Sequence, residues 1–211
     1  MSADLSFVHR FEPGNEPAAP PILLLHGTGG DENDLLPLGK SIAPGAALLS
    51  PRGPVLENGM PRFFRRLAVG VFDEDDVRRR AGDLADFVAG ARKKYKMAAP
   101  IALGYSNGAN IAAAMLLLRP SLLRGAILLR AMVPLKSPPK ADLLGKPVLI
   151  LSGQFDPIIP STNSTRLAAI LADAGARVQQ RVLPVGHQLS QRDVDLAREW
   201  FREQEEVVAS N

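Results

Sequence analysis

The sequence predicts an α/β protein, a mostly parallel β-sheet with helices on both faces. Three observations predict it. Short apolar runs alternate with longer segments of helical period, and Gly or Pro closes several of those segments. The chain is also the size of one domain, at 211 residues with 46% hydrophobic, 22% charged and 5% aromatic content, so residues 1–211 are read as a single unit.

Each element follows from its own pattern. Strands are expected at 22–25, 46–50, 101–105, 126–129, 148–151 and 177–183, and helices at 32–42, 75–95, 108–118, 162–174 and 190–206. Gly45, Pro120 and Gly175 end three of the helices. The Pro-rich stretch 136–140 is a connection, not a domain boundary, because both sides are needed to complete the sheet. Residues 51–74 break the alternation: they join a strand to a helix through some two dozen residues, where about 2 to 6 are usual. This loop carries Met60, Phe63, Phe64, Leu67 and Phe72 among Arg62, Arg65 and Arg66. Two compatible readings follow, an Ω-loop stapled to the core by its own aromatics and a wall of a substrate pocket.

Composition excludes several function classes. There is no cysteine, which removes thiol nucleophiles, thiolate metal sites and iron–sulfur clusters. Net charge is +3, from 25 Lys and Arg against 22 Asp and Glu, too small an excess for a polyanion-binding surface. Acids at 73–76 ahead of Arg78, Arg79 and Arg80 suit a helix start instead, so no nucleic-acid partner is expected. Residues 1–14 lack the apolar segment of a signal peptide, and the longest apolar run, 111–118, is far short of the ~18 residues of a membrane span. A cytoplasmic location is expected.

The strongest local signal is Gly104-Tyr105-Ser106-Asn107-Gly108, a G-x-S-x-G. Chance alone supplies roughly 0.09 such matches in a chain of this composition, so the context decides. The motif directly follows an apolar strand and precedes a helix rich in small residues, which is the setting of a nucleophile elbow. A serine in so sharp a turn crowds the positions two residues to either side, and glycine relieves it. Its hydroxyl needs a base, and the base needs a third group to fix its tautomer. Such elbows are followed in chain order by the acid and then the histidine. Only His187 lies beyond Ser106, and only Asp142, Asp156 and Asp173 lie between them. Asp156 alone sits just past a strand, at the sheet edge where sites of open α/β sheets form. Oxyanion donors are expected from the backbone amides of Thr28, in the glycine-rich segment 25–30, and of Asn107, at the helix start. A phosphate-cradling loop at 25–30 is disfavoured because no Lys-Ser/Thr pair follows, and a metal site because the histidines are scattered.

Residues 25–30, Gly104-Tyr105-Ser106-Asn107-Gly108-Ala109-Asn110, residues 152–160 and Gly186-His187 together resemble the α/β-hydrolase superfamily. More narrowly they resemble the small carboxylesterase and phospholipase family that includes acyl-protein thioesterases. The resemblance spans nearly the whole chain, and implies an α/β-hydrolase fold without a large lid domain. It puts the triad on Ser106, Asp156 and His187 and the oxyanion donors on Thr28 and Asn107. Family thioesterases usually carry Gln after the nucleophile. Asn107 and the loop 59–66 instead resemble the bacterial carboxylesterases of the branch associated with hydroquinone resistance.

The expected activity is hydrolysis of small carboxylic esters with short or medium acyl chains through an acyl-enzyme, with no cofactor and no metal. Thioester or lysophospholipid hydrolysis is the alternative within the family, and a non-catalytic ligand-binding protein the alternative outside it. Met60, Phe63, Phe64, Arg130 and Met132 are expected substrate contacts. Arg130 ends an apolar strand on the ligand side, where it either reaches water or meets an anionic or phenolic part of the substrate. A homodimer is the default assembly.

Overall fold

In the computed structural model, residues 5–209 are described. The chain begins with a strand at His9–Glu12 (β1), then Ile22–Leu25 (β2), helix Leu36–Ile42 (α1) and strand Leu48–Pro51 (β3). Two hairpins follow, Val55–Glu57 (β4) with Met60–Arg62 (β5), and Arg66–Ala68 (β6) with Val71–Phe72 (β7). The remainder alternates: Glu74–Tyr95 (α2), Ile101–Tyr105 (β8), Asn107–Leu118 (α3), Gly125–Leu129 (β9), Pro147–Gly153 (β10), Ser161–Asp173 (α4), Arg177–Leu183 (β11) and Gln191–Ala209 (α5).

Seven strands form one sheet in the order β1-β3-β2-β8-β9-β10-β11, parallel throughout except for the β1–β3 pair. The inner strands are apolar at nearly every position because both faces are covered. Successive residues of β2 show it: Leu23 and Leu25 join the core beneath α2, α3 and α4, while Ile22 and Leu24 join the core beneath α1 and α5. Edge strand β11 carries the charged Arg177 and Arg181 and is exposed at most of its positions, and such charges blunt an edge against pairing with other chains. Helix α3 is buried along almost its whole length, and its small residues let it lie close against the sheet. No large additional domain accompanies the sheet among the described residues. Among the described residues, no helix is long and apolar enough to cross a membrane.

All six expected strands and all five helices are present; strands 22–25, 101–105 and 177–183 keep their expected ends, and the other elements shift at one or both ends. Helix α1 starts at Leu36 rather than at 32, because the Asp31 carboxylate accepts from the Asn33 amide at 2.8 Å and holds residues 31–35 in turns. At the start of α2, the Asp73 side chain accepts from the Asp76 amide at 3.2 Å, Glu74, Asp75 and Asp76 fill the first turn, and Arg92, Lys93 and Lys94 fill the last. Strand β1 and the two hairpins were not expected. They are four residues or fewer and mix polar with apolar side chains, so no apolar run announces them.

Candidate active site

Ser106 lies between β8 and α3 with φ 52° and ψ −113°, a conformation that costs a residue bearing a Cβ about 1–3 kcal/mol. Backbone bonds hold it there. Its amide donates to the Leu129 carbonyl at 2.8 Å, and its carbonyl accepts from the Asn110 amide at 3.0 Å. The flanking glycines are sterically required: a Cβ on Gly104 would lie 2.6 Å from the Ala109 Cα, and one on Gly108 would lie 1.9 Å from the Leu25 carbonyl oxygen.

The loops after β10 and β11 bring the two partners to this serine. They run on together past the sheet, with the Gln154 amide donating to the Leu183 carbonyl at 2.7 Å and the Phe155 amide to that of Val185 at 3.0 Å. His187 Nε2 lies 3.0 Å from Ser106 Oγ, and His187 Nδ1 lies 2.8 Å from Asp156 Oδ2. With Nδ1–H donating to the carboxylate, Nε2 is left to accept the serine proton. The other Asp156 oxygen accepts from the Ile158 and Ile159 amides at 2.8 and 3.0 Å, which fixes the carboxylate from behind. Asp156 is 1% exposed at its side chain and His187 17%, so the acid is shielded while the imidazole edge meets the cleft. Tyr105 also donates its hydroxyl to the His187 carbonyl at 3.2 Å.

The cleft over Ser106 has a volume of about 260 Å³, and Thr28, Asn107 and Met132 are on its walls. Among the described residues, the amides of Thr28 and Asn107 have no hydrogen-bond partner. Their side-chain oxygens are engaged, while the buried Asn107 Nδ2 has no partner among the described residues. Asn107 Oδ1 accepts from the Phe63 amide, and Thr28 Oγ1 accepts from Arg62 Nη1, each at 2.8 Å. Burial pushes the Arg62 guanidinium below its usual value, with the Glu57 carboxylate opposing. Among the described residues, no group of three His, Asp or Glu side chains is placed to hold a metal ion.

Four expected substrate contacts are corrected. Arg130 reaches neither water nor the cleft: its side chain is 0% exposed and makes two bonds to the Asp193 carboxylate, at 2.8 and 2.9 Å. Phe63 and Phe64 are buried in the core, Phe63 against His26 at 4.7 Å between ring centroids and Phe64 against Phe72 at 5.0 Å. They staple the long loop to the sheet. Met60 is partly exposed beside Gly29 and off the cleft wall, so Met132 is the one residue of that set lining the cleft.

Several residues at the site were missed. The carboxylate of Asp193 also accepts from the Ser190 amide and hydroxyl, both at 2.8 Å, a capping arrangement that Ser190-Gln191-Arg192-Asp193 spells out. Burial pushes the Asp193 carboxyl up, but the bonds from Arg130 and Ser190 outweigh it and leave it below the usual carboxylate value. Asn110 accepts from the Met132 amide at 2.7 Å, and Arg62 and Arg66, both paired with Glu57, line the cleft on its loop side.

The sheet order, the covering helices and the strained serine between strand and helix are those of an α/β hydrolase. The phospholipase/carboxylesterase family model matches residues 8–204, and the chain belongs to that family of hydrolases. It is 48% identical over 184 residues to the putative hydrolase MhqD of Bacillus subtilis strain 168, spanning 86% of this chain and 92% of that protein. Its fold matches a Bacillus cereus carboxylesterase with a TM-score of 0.93 at 46% identity, covering 96% of both chains. A Mesorhizobium loti carboxylesterase matches with a TM-score of 0.89 at 34% identity, covering 95% of this chain and 96% of that one. The resemblance drawn from the sequence is borne out at the level of family and fold.

Proposed function

We propose that this protein is a serine carboxylesterase that cleaves short- to medium-chain esters through an acyl-enzyme on Ser106. One observation carries the reading: the continuous chain of bonds from Ser106 Oγ through His187 to Asp156, opening on a cleft that Thr28 and Asn107 also line. Ser106 Oγ attacks the ester carbonyl carbon as its proton passes to His187 Nε2. The carbonyl oxygen becomes an oxyanion, stabilised by the two amides, and Asp156 stabilises the imidazolium. Collapse breaks the bond to the alcohol, which leaves with the proton from His187. Water then repeats the sequence on the acyl-serine and releases the carboxylic acid. Each oxyanion donor of this kind contributes about 10²- to 10³-fold to turnover, and the nucleophile about 10⁶-fold. A cleft of about 260 Å³ with no lid domain over it supports small soluble esters over triglycerides.

The test is the intact mass after exposure to a fluorophosphonate. A single adduct mapped to Ser106, absent from Ser106→Ala, is expected together with loss of ester turnover in that variant. An unmodified protein, or an adduct elsewhere, overturns the reading.

A further inference from the structure

The reading as a serine esterase leaves open which ester is cleaved, and the charge lining the cleft bears on that. Among the described residues, those lining the cleft include Arg62 and Arg66 and no carboxylate. Asp156, the acid nearest the chemistry, is buried behind the imidazole and already accepts three hydrogen bonds. The two arginines share a single counter-charge. Glu57 lies 3.0 Å from Arg62 Nη1 through one oxygen and 2.8 Å from Arg66 Nε through the other. One carboxylate against two guanidiniums leaves a positive charge over.

The two arginines differ in how they are held. Arg62 is 3% exposed and committed to the protein: Nε donates to the Phe64 carbonyl at 3.2 Å, and Nη1 to the Thr28 hydroxyl. That last bond sets the guanidinium one side chain away from the amide proposed to receive the oxyanion. Arg66 uses only Nε, on Glu57, and its two terminal nitrogens have no protein partner among the described residues. The same polarity continues outward. Past Gly70, Phe72 and Met132, the cleft runs on into a groove bordered by Lys136 and Arg166, with Glu74 as its one acid, and Glu74 is bonded to the Lys136 amide at 3.2 Å.

A guanidinium with unused, coplanar N–H donors beside a reaction cleft is matched by a carboxylate, which accepts two of them at once. Such a contact works at the low dielectric of a cleft wall and costs little reorganisation, because Glu57 already holds the arginine in place. We propose that the cleft selects esters that carry a carboxylate of their own, docked on Arg66 with Arg62 behind it, so that the natural substrate is a monoester of a dicarboxylic acid or a hydroxy acid acylated on its hydroxyl with its carboxylate free. This rests on the esterase reading and adds the substrate class to it.

The experiment compares kcat/KM for matched esters on the full-length protein. For a charge on the acyl side the pair is 4-nitrophenyl hydrogen adipate and 4-nitrophenyl hexanoate; for a charge on the alcohol side it is 4-acetoxybenzoate and phenyl acetate. The ratio within each pair is independent of the fraction of active protein, so partial misfolding of a variant does not distort it. At low salt the charged member of one pair is expected to be preferred by about tenfold, with the preference shrinking as salt screens the cleft. Arg66→Gln lowers that ratio about tenfold, Arg66→Lys lowers it less, and Glu57→Gln raises it. The pair that responds identifies the side of the ester that carries the charge. Ratios at or below one in both pairs, unmoved by Arg66→Gln and Glu57→Gln while turnover persists, overturn the substrate class alone. No turnover of any of the four esters and no fluorophosphonate adduct overturn the esterase reading beneath it.

Discussion

The Arg130 guanidinium, paired with Asp193, also donates to the carbonyls on either side of His187: to Gly186 at 3.1 Å from Nε and to Gln188 at 3.1 Å from Nη2. A buried ion pair is weak evidence of stability in itself, because desolvation of both charges offsets their attraction. Its place here is positional. One planar group spans the end of β9, where Arg130 sits at φ 56°, the first turn of α5 and the loop that carries the histidine.

Arg130→Met strands a buried carboxylate and is expected to cost about 3–5 kcal/mol in denaturant unfolding. The double variant Arg130→Met with Asp193→Leu is expected to recover most of that stability while kcat stays reduced, because the loop carbonyls remain unheld. Recovery of kcat along with stability would show the pair to be scaffold only. Charged and neutral esters are expected to lose equally, since Arg130 is 0% exposed and touches neither.

The strain at Ser106 sets activity against stability. Glycine adopts φ 52° freely, so Ser106→Gly is expected to abolish turnover yet raise unfolding stability by about 1 kcal/mol, net of the entropy that glycine adds to the unfolded chain. Ser106→Ala retains a Cβ and is expected to be inactive without that gain. Equal stability of the two variants, measured by chemical denaturation, would argue that the turn is relaxed.

His26 gives a pH signature. It is 1% exposed, with Nδ1 bonded to the Gly27 carbonyl at 2.7 Å and Nε2 accepting from the Gly53 amide at 2.9 Å. Burial lowers its pKa, with the Gly27 carbonyl opposing. The folded protein therefore holds this imidazole neutral while the unfolded chain takes up a proton as pH falls below about 6.5. Stability is expected to decline with falling pH from there until the folded-state histidine also protonates. In His26→Gln the melting temperature is expected to be lower at pH 8 but to fall less steeply between pH 6.5 and 5. Parallel slopes would place the titration elsewhere.

The sequence exposed what is repetitive or local and hid what is pairwise and distant. Strands such as β8 and β9 are legible because burial on both faces makes every position apolar, and the elbow is legible because Gly104 and Gly108 answer a steric demand within five residues. Asp156 and His187 emerge from chain order and from their place at the sheet edge. Arg130 was misread because a cation at a strand end looks the same whether it faces water or a carboxylate 63 residues later; only packing α5 against the sheet brings Asp193 to it. Phe63 and Phe64 were credited to the substrate for a similar reason: in a loop, aromatic side chains that anchor and those that receive a ligand have one spelling. The hairpins are short, and the register that pairs Val55 with Arg62 leaves no periodic trace.

Those hairpins hang outside the seven-strand sheet on two inserted aromatic rings and on bonds to Asn107, Thr28 and the Gly29 amide, while Leu56, Leu67 and Val69 face solvent. Outside Arg62, the proposed chemistry and the proposed choice of substrate thus rest on different elements. A designer who keeps Phe63, Phe64 and Arg62 can redraw the exposed tips and Arg66, altering the outer wall of the cleft while the contacts around Ser106 stay in place.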